Sequence, residues 1–295
     1  MPPRPRPPRR TPRSVVYRRR IVALGVLIAG FAIAWAIVSS FGGNGDGKPA
    51  TTAVLPPRPF KIVFPEGFTR AQMARRVTAV AEIAKRERGR VPALKGRAYL
   101  AGTRLPRREP GFGRKRYPLE GFLFPATYDF TARTTAAQLV NQQLEAFRRN
   151  WAKVNFRYAT RKNLTPYDVL TIASMIERET AAPEERQLVA AVIYNRLHLH
   201  MALGIDATLR YGLHIPPTES IRESQLNSTN PYNTGKQPGL PPTPIANPGL
   251  ASIQAAAHPA HVDFLYYVRK PDKTHHFFTA SFAAFQKYKA EHGYR

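Results

Sequence analysis

The sequence predicts an α+β fold behind a single N-terminal transmembrane helix. Three patterns predict it: an uncharged run near the N-terminus, several segments with helical periodicity, and short alternating segments of the kind that form strands. We expect five parts in order: a disordered basic cytoplasmic tail at 1–20, the transmembrane helix at 21–41, a linker at 42–59, a βα module with a basic connector at 60–116, and a larger mixed α+β domain at 117–295.

The N-terminal tail and the run after it predict membrane anchoring. Residues 1–20 contain eight arginines, many prolines and no acid, so they cannot bury a core. The uncharged run from Ile21 to Val38, extended to Phe41, is long enough to cross a bilayer at about 1.5 Å per residue. Because the arginines precede it, we expect the N-terminus in the cytoplasm and the larger domain on the outer side of the cytoplasmic membrane. A cleaved signal peptide is the alternative, and the length of the run disfavours it.

The charge of the chain predicts an anionic neighbourhood. The net charge is +26, from 45 basic and 19 acidic residues. Without the eight tail arginines, 37 basic residues against 19 acids leave +18 on the rest. For a domain outside the membrane, this excess favours a negatively charged cell envelope over nucleic acid, although a merely basic, solvated surface is an alternative. The absence of cysteine excludes disulfides and thiolate metal sites.

The βα module is predicted from a strand, a turn and a helix start. Phe60–Phe64 alternates like a strand, Pro65-Glu-Gly breaks it, and Thr69 is placed to cap a helix. The aromatic stretch 119–128 has three interpretations: a buried core loop, a sugar-binding platform, or a strand that enters the larger domain. Residues 134–151 then have the periodicity of a helix.

The stretch from Leu164 to Thr180 predicts the central helix, with Thr165 as its cap and Pro166 in its first turn. At about 100° per residue, Val169, Ile172, Ala173 and Ile176 form one apolar face. Glu179 projects onto that face, whereas Glu177 falls on its flank. A carboxyl group there is out of place unless it is paired or kept protonated for chemistry, so Glu179 is the candidate catalytic residue. The alternative is a frayed last turn with both glutamates in water.

The last third of the chain predicts a helix at 184–201, a short polar and aromatic segment at 204–211, and an irregular loop at 230–249. Six prolines and three glycines exclude regular structure from this loop, and long ordered loops of that kind usually line sites. A helix at 252–258, a hairpin of 264–268 with 275–279, and a final helix capped by Ser281 complete the chain.

Ionisable side chains other than the carboxylates offer little chemistry. His198 and His200 are two apart on a helix, and His275 and His276 face opposite sides of a strand, so neither pair suits one metal ion. The chain contains no phosphate-binding loop, dinucleotide motif or serine-hydrolase elbow. We therefore expect no metal and no cofactor.

Nine segments, taken together, resemble one family, the membrane-anchored endolytic murein transglycosylases, also called YceG-like. They are Leu119–Tyr128, Ile172–Thr180, Val192–Leu197, Asp206–Thr208, Asn230–Thr234, Gly239–Pro242, Asn247–Gly249, Ala255–Pro259 and Phe264–Val268. The resemblance implies that the module at 60–116 is LysM-like and that 117–295 is the catalytic domain. It implies endolytic cleavage of peptidoglycan glycan strands between MurNAc and GlcNAc, with Glu179 as the catalytic residue and Glu177 as the fallback.

The resemblance also implies a set of sugar-binding residues and partners. The residues expected to hold the sugars are Asn195, Asp206, Thr208, Tyr211, Tyr232, Asn233 and Thr234, with Tyr194 beside them. The expected partners are peptidoglycan, the cytoplasmic membrane and the peptidoglycan synthases of elongation or division, and not nucleic acid. The sequence departs from the family pattern at Ala126, Gly235, Thr243 and Phe285, which bears on groove details and wall binding more than on the reaction.

Three other functions stay open from the residues. A true hydrolase needs a second carboxylate, for which Glu177, Glu120 and Asp206 are candidates. A wall-binding or scaffold protein would use the module and the basic surface without catalysis. A basic membrane protein for nucleic acid would bind with a steep salt dependence.

Overall fold

The computed structural model describes residues 59–294 of the chain. The predicted tail at 1–20, the predicted transmembrane helix at 21–41 and nearly all of the linker lie outside the described residues. Within residues 59–294, no helix combines the length and the apolar character needed to cross a membrane.

The described residues form helices and short strands in the mixed order expected of an α+β protein. The strands are β1 Phe60–Val63, β2 Thr127–Phe130, β3 Tyr266–Arg269 and β4 His276–Thr279. The helices are α1 Arg70–Arg88, α2 Gly96–Arg104, α3 Ala136–Trp151, α4 Arg157–Arg161, α5 Pro166–Glu179, α6 Arg186–His198, α7 Asp206–Gly212, α8 Glu223–Leu226, α9 Leu250–Ala257 and α10 Phe282–Glu291, with a 3-10 turn at Pro183–Glu185.

The first sheet consists of β1 and β2, which are far apart in the sequence. β1 pairs antiparallel with β2, in the register Phe60 to Phe130 and Val63 to Thr127. The helix start predicted at Thr69 is confirmed, because its hydroxyl accepts from the Gln72 backbone N–H, at 3.2 Å. In the aromatic stretch 119–128, the first part is buried core and the last part is strand β2, so two of the three interpretations each apply to one half.

The sequence boundary predicted between residues 116 and 117 does not separate two units. β1 and β2 lie on opposite sides of that boundary and form one sheet. Across the same boundary, the Tyr99 hydroxyl of α2 donates to Gln143 Oε1 of α3 at 2.6 Å, and both side chains are fully buried. Residues 59–294 accordingly belong to one compact unit. The identification of the βα module as LysM-like stays a prediction.

The central helix α5 forms the middle of the core. The Thr165 hydroxyl accepts from the backbone N–H of Asp168, as the sequence predicted. All residues from Val169 to Ile176 are buried, and α6 and α9 pack against the helix. The helix ends at Glu179, so that residue lies where the apolar face meets the surface.

The second sheet is the hairpin of β3 and β4, in the register Tyr266 to Thr279 and Arg269 to His276. It confirms the hairpin expected from the sequence, displaced by one or two residues. The segment predicted as polar and aromatic at 204–211 contains α7. Between Asn227 and Gly249 the chain contains no helix or strand, as its prolines predicted.

Candidate active site

Glu179 is the last residue of α5, and its carboxyl group faces the second sheet. The side chain is only partly exposed, and the Tyr267 hydroxyl donates to Oε2 at 3.1 Å. Burial is the main cause that raises the pKa of Glu179, and the negative charge of Asp206 raises it further. The hydrogen bond from Tyr267 and the charges of His276 and Arg269 act in the opposite direction. The negative end of the helix dipole also disfavours a carboxylate at this position.

Tyr267 is a stable donor for this carboxyl group. Its ring lies in β3, and burial raises the pKa of the phenol well above its ordinary value. The phenol therefore keeps its proton at neutral pH. Among the described residues, Tyr267 alone is hydrogen-bonded to the Glu179 carboxyl group. The second carboxyl oxygen is thus left for chemistry.

The sequence Tyr194-Asn195-Arg196 in α6 holds the chain that leads into β3. The Tyr194 hydroxyl donates to Ala256 O at 2.7 Å. The Asn195 amide nitrogen donates to the carbonyls of Val262 and Phe264, both at 2.9 Å. Arg196 Nε donates to Leu265 O at 2.6 Å, while its Nη1 donates to Leu203 O at 2.7 Å. In this structure the Asn195 amide positions the strand that carries Tyr267, so sugar contact by Asn195 stays a prediction.

A buried pair from β4 and the 3-10 turn supports Tyr267 from the other side. His276 Nδ1 lies 2.7 Å from Glu185 Oε2, and the His276 backbone N–H donates to Glu185 Oε1 at 2.8 Å. The His276 ring meets the Tyr267 ring edge-on, with centroids 5.4 Å apart. Sequence reasoning did not single out Tyr267 or Glu185, and the only available signal was the aromatic alternation of the two strands.

Glu177, the fallback for the catalytic residue, occupies a different site. Its Oε2 accepts from the backbone N–H of Gly249 at 3.0 Å and from the Ser252 hydroxyl at 2.8 Å. Gly249 is the cap of α9 and Ser252 lies in its first turn, where a carboxylate satisfies free backbone donors and suits the positive helix end. Glu177 thus fastens α9 to α5.

Glu120 is buried and fully engaged. Its carboxyl group accepts from the backbone and Nε of Arg70, from the Tyr211 hydroxyl and from the Asn247 amide, at 2.9–3.4 Å. Burial raises the pKa of Glu120, whereas Arg70 and the hydrogen bonds lower it. Asn247 also accepts from the backbone N–H of Gly121 and donates to Phe68 O. This cluster ties α1, α7 and the proline-rich loop together.

Three other predicted sugar-binding residues form hydrogen bonds within the scaffold. Thr208 and Thr234 are buried, with their hydroxyl oxygens 2.9 Å apart, and Thr234 Oγ1 accepts from the Ile205 N–H. The buried Asn233 amide donates to the carbonyls of Leu226 and Ser228. These polar atoms are engaged within the protein, and their contact with substrate stays a prediction.

Asp206, Tyr211 and Tyr232 are the accessible members of the predicted set. Asp206 is exposed at the start of α7 and acts electrostatically on Glu179. The Tyr232 hydroxyl lies 2.8 Å from Thr243 Oγ1, and its ring lies 5.2 Å from that of Tyr211. Within residues 59–294, no group of three or more His, Asp or Glu side chains is placed to hold a metal ion.

Comparison with known protein families identifies the family of the chain. Residues 48–291 match the YceG-like family over most of the chain. The chain belongs to the YceG-like family.

Relatives of the chain in two species have the same name. The chain is 34% identical over 226 residues to the endolytic murein transglycosylase of Streptococcus pneumoniae R6, covering 70% of this chain and 40% of the relative. It is 36% identical over 157 residues to the endolytic murein transglycosylase of Bacillus subtilis 168, covering 52% of this chain and 43% of the relative. The chain thus spans about two fifths of the length of these relatives.

A YceG-like protein of Listeria monocytogenes, known from a 2.6 Å crystal structure, has a similar fold. The TM-score is 0.64 at 31% identity, over 79% of this chain and 76% of the other. The YceG-like match includes β1, α1, the central helix and the second sheet. Glu179, Tyr267 and the residues that hold them therefore all lie within the family region.

Proposed function

We propose that this protein is an endolytic peptidoglycan lytic transglycosylase that cleaves the bond between MurNAc and GlcNAc in glycan strands. The observation that carries the proposal is the partly buried Glu179 carboxyl group, with a raised pKa and a single hydrogen-bond donor. The names of the two relatives, at 34% and 36% identity, support the same reaction.

The reaction needs one carboxyl group that acts first as an acid and then as a base. Protonated Glu179 gives its proton to the glycosidic oxygen as the C1–O bond of MurNAc breaks, and the GlcNAc end leaves as an alcohol. The MurNAc O6 atom then forms a bond to C1, and its proton passes to the Glu179 carboxylate. The product is a 1,6-anhydroMurNAc end, and Glu179 is protonated again. The raised pKa favours the protonated form of Glu179 that the first step needs.

A hydrolytic muramidase is the second candidate, and one observation favours it. Of the three carboxylates considered as a second catalytic group, Glu177 and Glu120 are held by donors within the protein. Asp206 is exposed and close enough to act on Glu179 electrostatically. A hydrolase would use Asp206 to activate water or to stabilise the sugar cation.

The cellular setting belongs to the same proposal. The uncharged run at 21–41 and the arginines before it support a single-pass protein of the cytoplasmic membrane, with its N-terminus in the cytoplasm and the remainder at the cell wall. The strand, turn and helix of β1 and α1 support a LysM-like module at 60–116. Peptidoglycan synthases of elongation or division are the proposed protein partners. Protease digestion of intact protoplasts tests the topology, and protection of residues 59–294 would contradict it.

The test of the reaction is product analysis. The full-length protein in detergent is incubated with intact sacculi, and the soluble products are analysed by mass spectrometry. Anhydro-MurNAc ends that depend on Glu179 support the lyase, whereas reducing ends that are lost in Asp206→Asn identify the hydrolase. The matched control is Glu177→Gln, which alters a neighbouring carboxylate on the same helix. If wild type produces neither kind of end, the catalytic proposal fails and a wall-binding or scaffold role takes its place.

A further inference from the structure

A cleft of about 430 Å³ is walled by α1, α2 and α7, and five arginines contribute to its lining. Its basic lining residues are Arg70, Arg75, Arg104, Arg178 and Arg210, with His214 beside them. Among the described residues that line it, Glu120 is the only acid. A concave wall with such an excess of positive charge concentrates anions. We refer to these six residues and Glu120 as the arginine cleft.

The arginines of this cleft differ in how far they are already engaged. Arg70 is paired with Glu120, at 3.4 Å between Nε and Oε2. Arg210 Nη1 donates to the carbonyls of Pro216 and Glu219, at 3.0 and 2.8 Å. Arg75 and Arg104 are exposed, and within residues 59–294 neither forms an ion pair with an acidic side chain. These two guanidinium groups are therefore available to an external anion.

The arginine cleft and the proposed cleavage site share two helices, α5 and α7. Its α7 wall contains Ala207 and Tyr211, and α7 begins at Asp206, whose charge acts on Glu179. On its α5 side, the lining residue Arg178 immediately precedes Glu179. The two sites are therefore connected through α5 and α7.

We propose that the arginine cleft binds the carboxylates of the peptide stems on the glycan strand, with Arg75 and Arg104 as the main contacts. This inference rests on the proposed function. Guanidinium groups pair with carboxylates through two parallel hydrogen bonds, so they fix the orientation of a stem as well as attract it. The volume suits a short peptide rather than a folded partner. The stems next to the scissile bond then add affinity and set the register of the strand.

The experiment measures binding and not cleavage. Full-length protein with Glu179→Gln, which keeps the strands intact, is titrated with solubilised strands in two forms. One form has free stem carboxylates, and the other has the same carboxylates coupled to methylamine, which removes their charge and keeps the glycan. The test variant is Arg75→Gln with Arg104→Gln. The control is Arg114→Gln with Arg161→Gln, two exposed arginines outside the cleft that remove the same charge.

At 50 mM salt we expect the parent protein to bind the free-carboxylate strands about 5- to 10-fold more tightly than the methylamine-coupled strands. Two exposed pairs of arginine and carboxylate each contribute up to about fivefold to the affinity. This ratio should fall to about 2 or less in the test variant, stay at the parent value in the control, and shrink at high salt. An unchanged ratio in the test variant, or an equal loss in the control, overturns the proposal. Binding of poly(glycerol phosphate) through Arg75 and Arg104, together with an equal affinity of the parent protein for the two forms of strand, also overturns it, since the cleft would then recognise phosphate and not the stem carboxylates. This binding experiment uses the inactive Glu179→Gln protein, so its result does not depend on cleavage. A wild-type protein that fails to cleave refutes the proposed function, and that outcome is separate from the result of the binding experiment.

Discussion

Two regions of the protein shield a glutamate carboxyl group from most of the solvent, and they differ in the number of hydrogen bonds that the group accepts. Glu120 receives hydrogen bonds from Arg70, Tyr211 and Asn247, which belong to three separate parts of the fold. From the part of the chain that the structure describes, Glu179 receives one, from Tyr267. Burial raises the pKa of both. A carboxylate with every lone pair engaged serves as a structural tie, whereas one with a free oxygen and a single neutral donor can exchange a proton.

The largest effect that this comparison predicts is on catalysis. Glu179→Gln should lower the rate of anhydro-MurNAc formation about 10³-fold, because a positioned general acid contributes roughly 10²–10⁴-fold. The melting temperature at neutral pH should not fall, since the glutamine oxygen still accepts from Tyr267 and no charge is held in the partly buried site. Rate and melting are measured on the same preparation. If the melting temperature of the variant is much lower, Glu179 has a structural role like that of Glu120.

The next effect is on stability. Glu120→Ala leaves Arg70 without its partner, and the side chains of the pair are only 3% and 17% exposed. Breaking such a pair costs about 3–5 kcal/mol in the free energy of unfolding. Urea denaturation measures the loss, and the control is Glu145→Ala, whose pair with Arg149 is 63–67% exposed and should change stability by less than about 0.5 kcal/mol. Lost cleavage without lost stability in Glu120→Ala would make Glu120 a catalytic group.

A smaller effect concerns the residues that hold the active region in place. Asn195→Ala removes two hydrogen bonds to the carbonyls of Val262 and Phe264. We expect a loss of about 1–3 kcal/mol in the free energy of unfolding and a lower catalytic rate at saturating substrate, because Tyr267 loses its fixed position. Asn141→Ala, which loses only an exposed contact with Arg107, is the control. A raised KM with an unchanged rate would instead indicate direct contact of Asn195 with sugar.

Features that depend on residues a few positions apart were predicted better than contacts between residues far apart in the sequence. The caps at Thr69, Thr165 and Ser281 depend on residues three positions away, and all three are confirmed. The placement of Glu179 on the apolar face also followed from helical periodicity alone. Helix α2 was missed, because it lies in a basic stretch and begins at Gly96 without a side-chain cap.

The partners of the two carboxyl groups could not be predicted in the same way. Tyr267 lies 88 positions from Glu179 in the sequence, and Asn247 lies 127 positions from Glu120. Both contacts depend on how the two sheets and the proline-rich loop fold back onto α5, and no local pattern encodes that. The scaffold contacts of Thr208, Asn233 and Thr234 were not foreseen either, because a polar residue in a loop motif can also satisfy the backbone of that loop.

The smallest predicted effect is a shift in pH dependence. The Tyr267 hydrogen bond lowers the pKa of Glu179, so Tyr267→Phe should raise that pKa further. Glu179 must start protonated, and activity is therefore present below its pKa and is lost as the pH rises through it. The variant should lose about 10-fold in rate, roughly 1.4 kcal/mol, and its descending limb should move to higher pH. Tyr266→Phe, which removes the hydroxyl of the neighbouring residue in β3 and leaves the hydrogen bond from Tyr267 to Glu179 intact, should leave the limb in place. A descending limb that stays at the wild-type pH in Tyr267→Phe would assign it to another group, and Asp206 would be the first to examine.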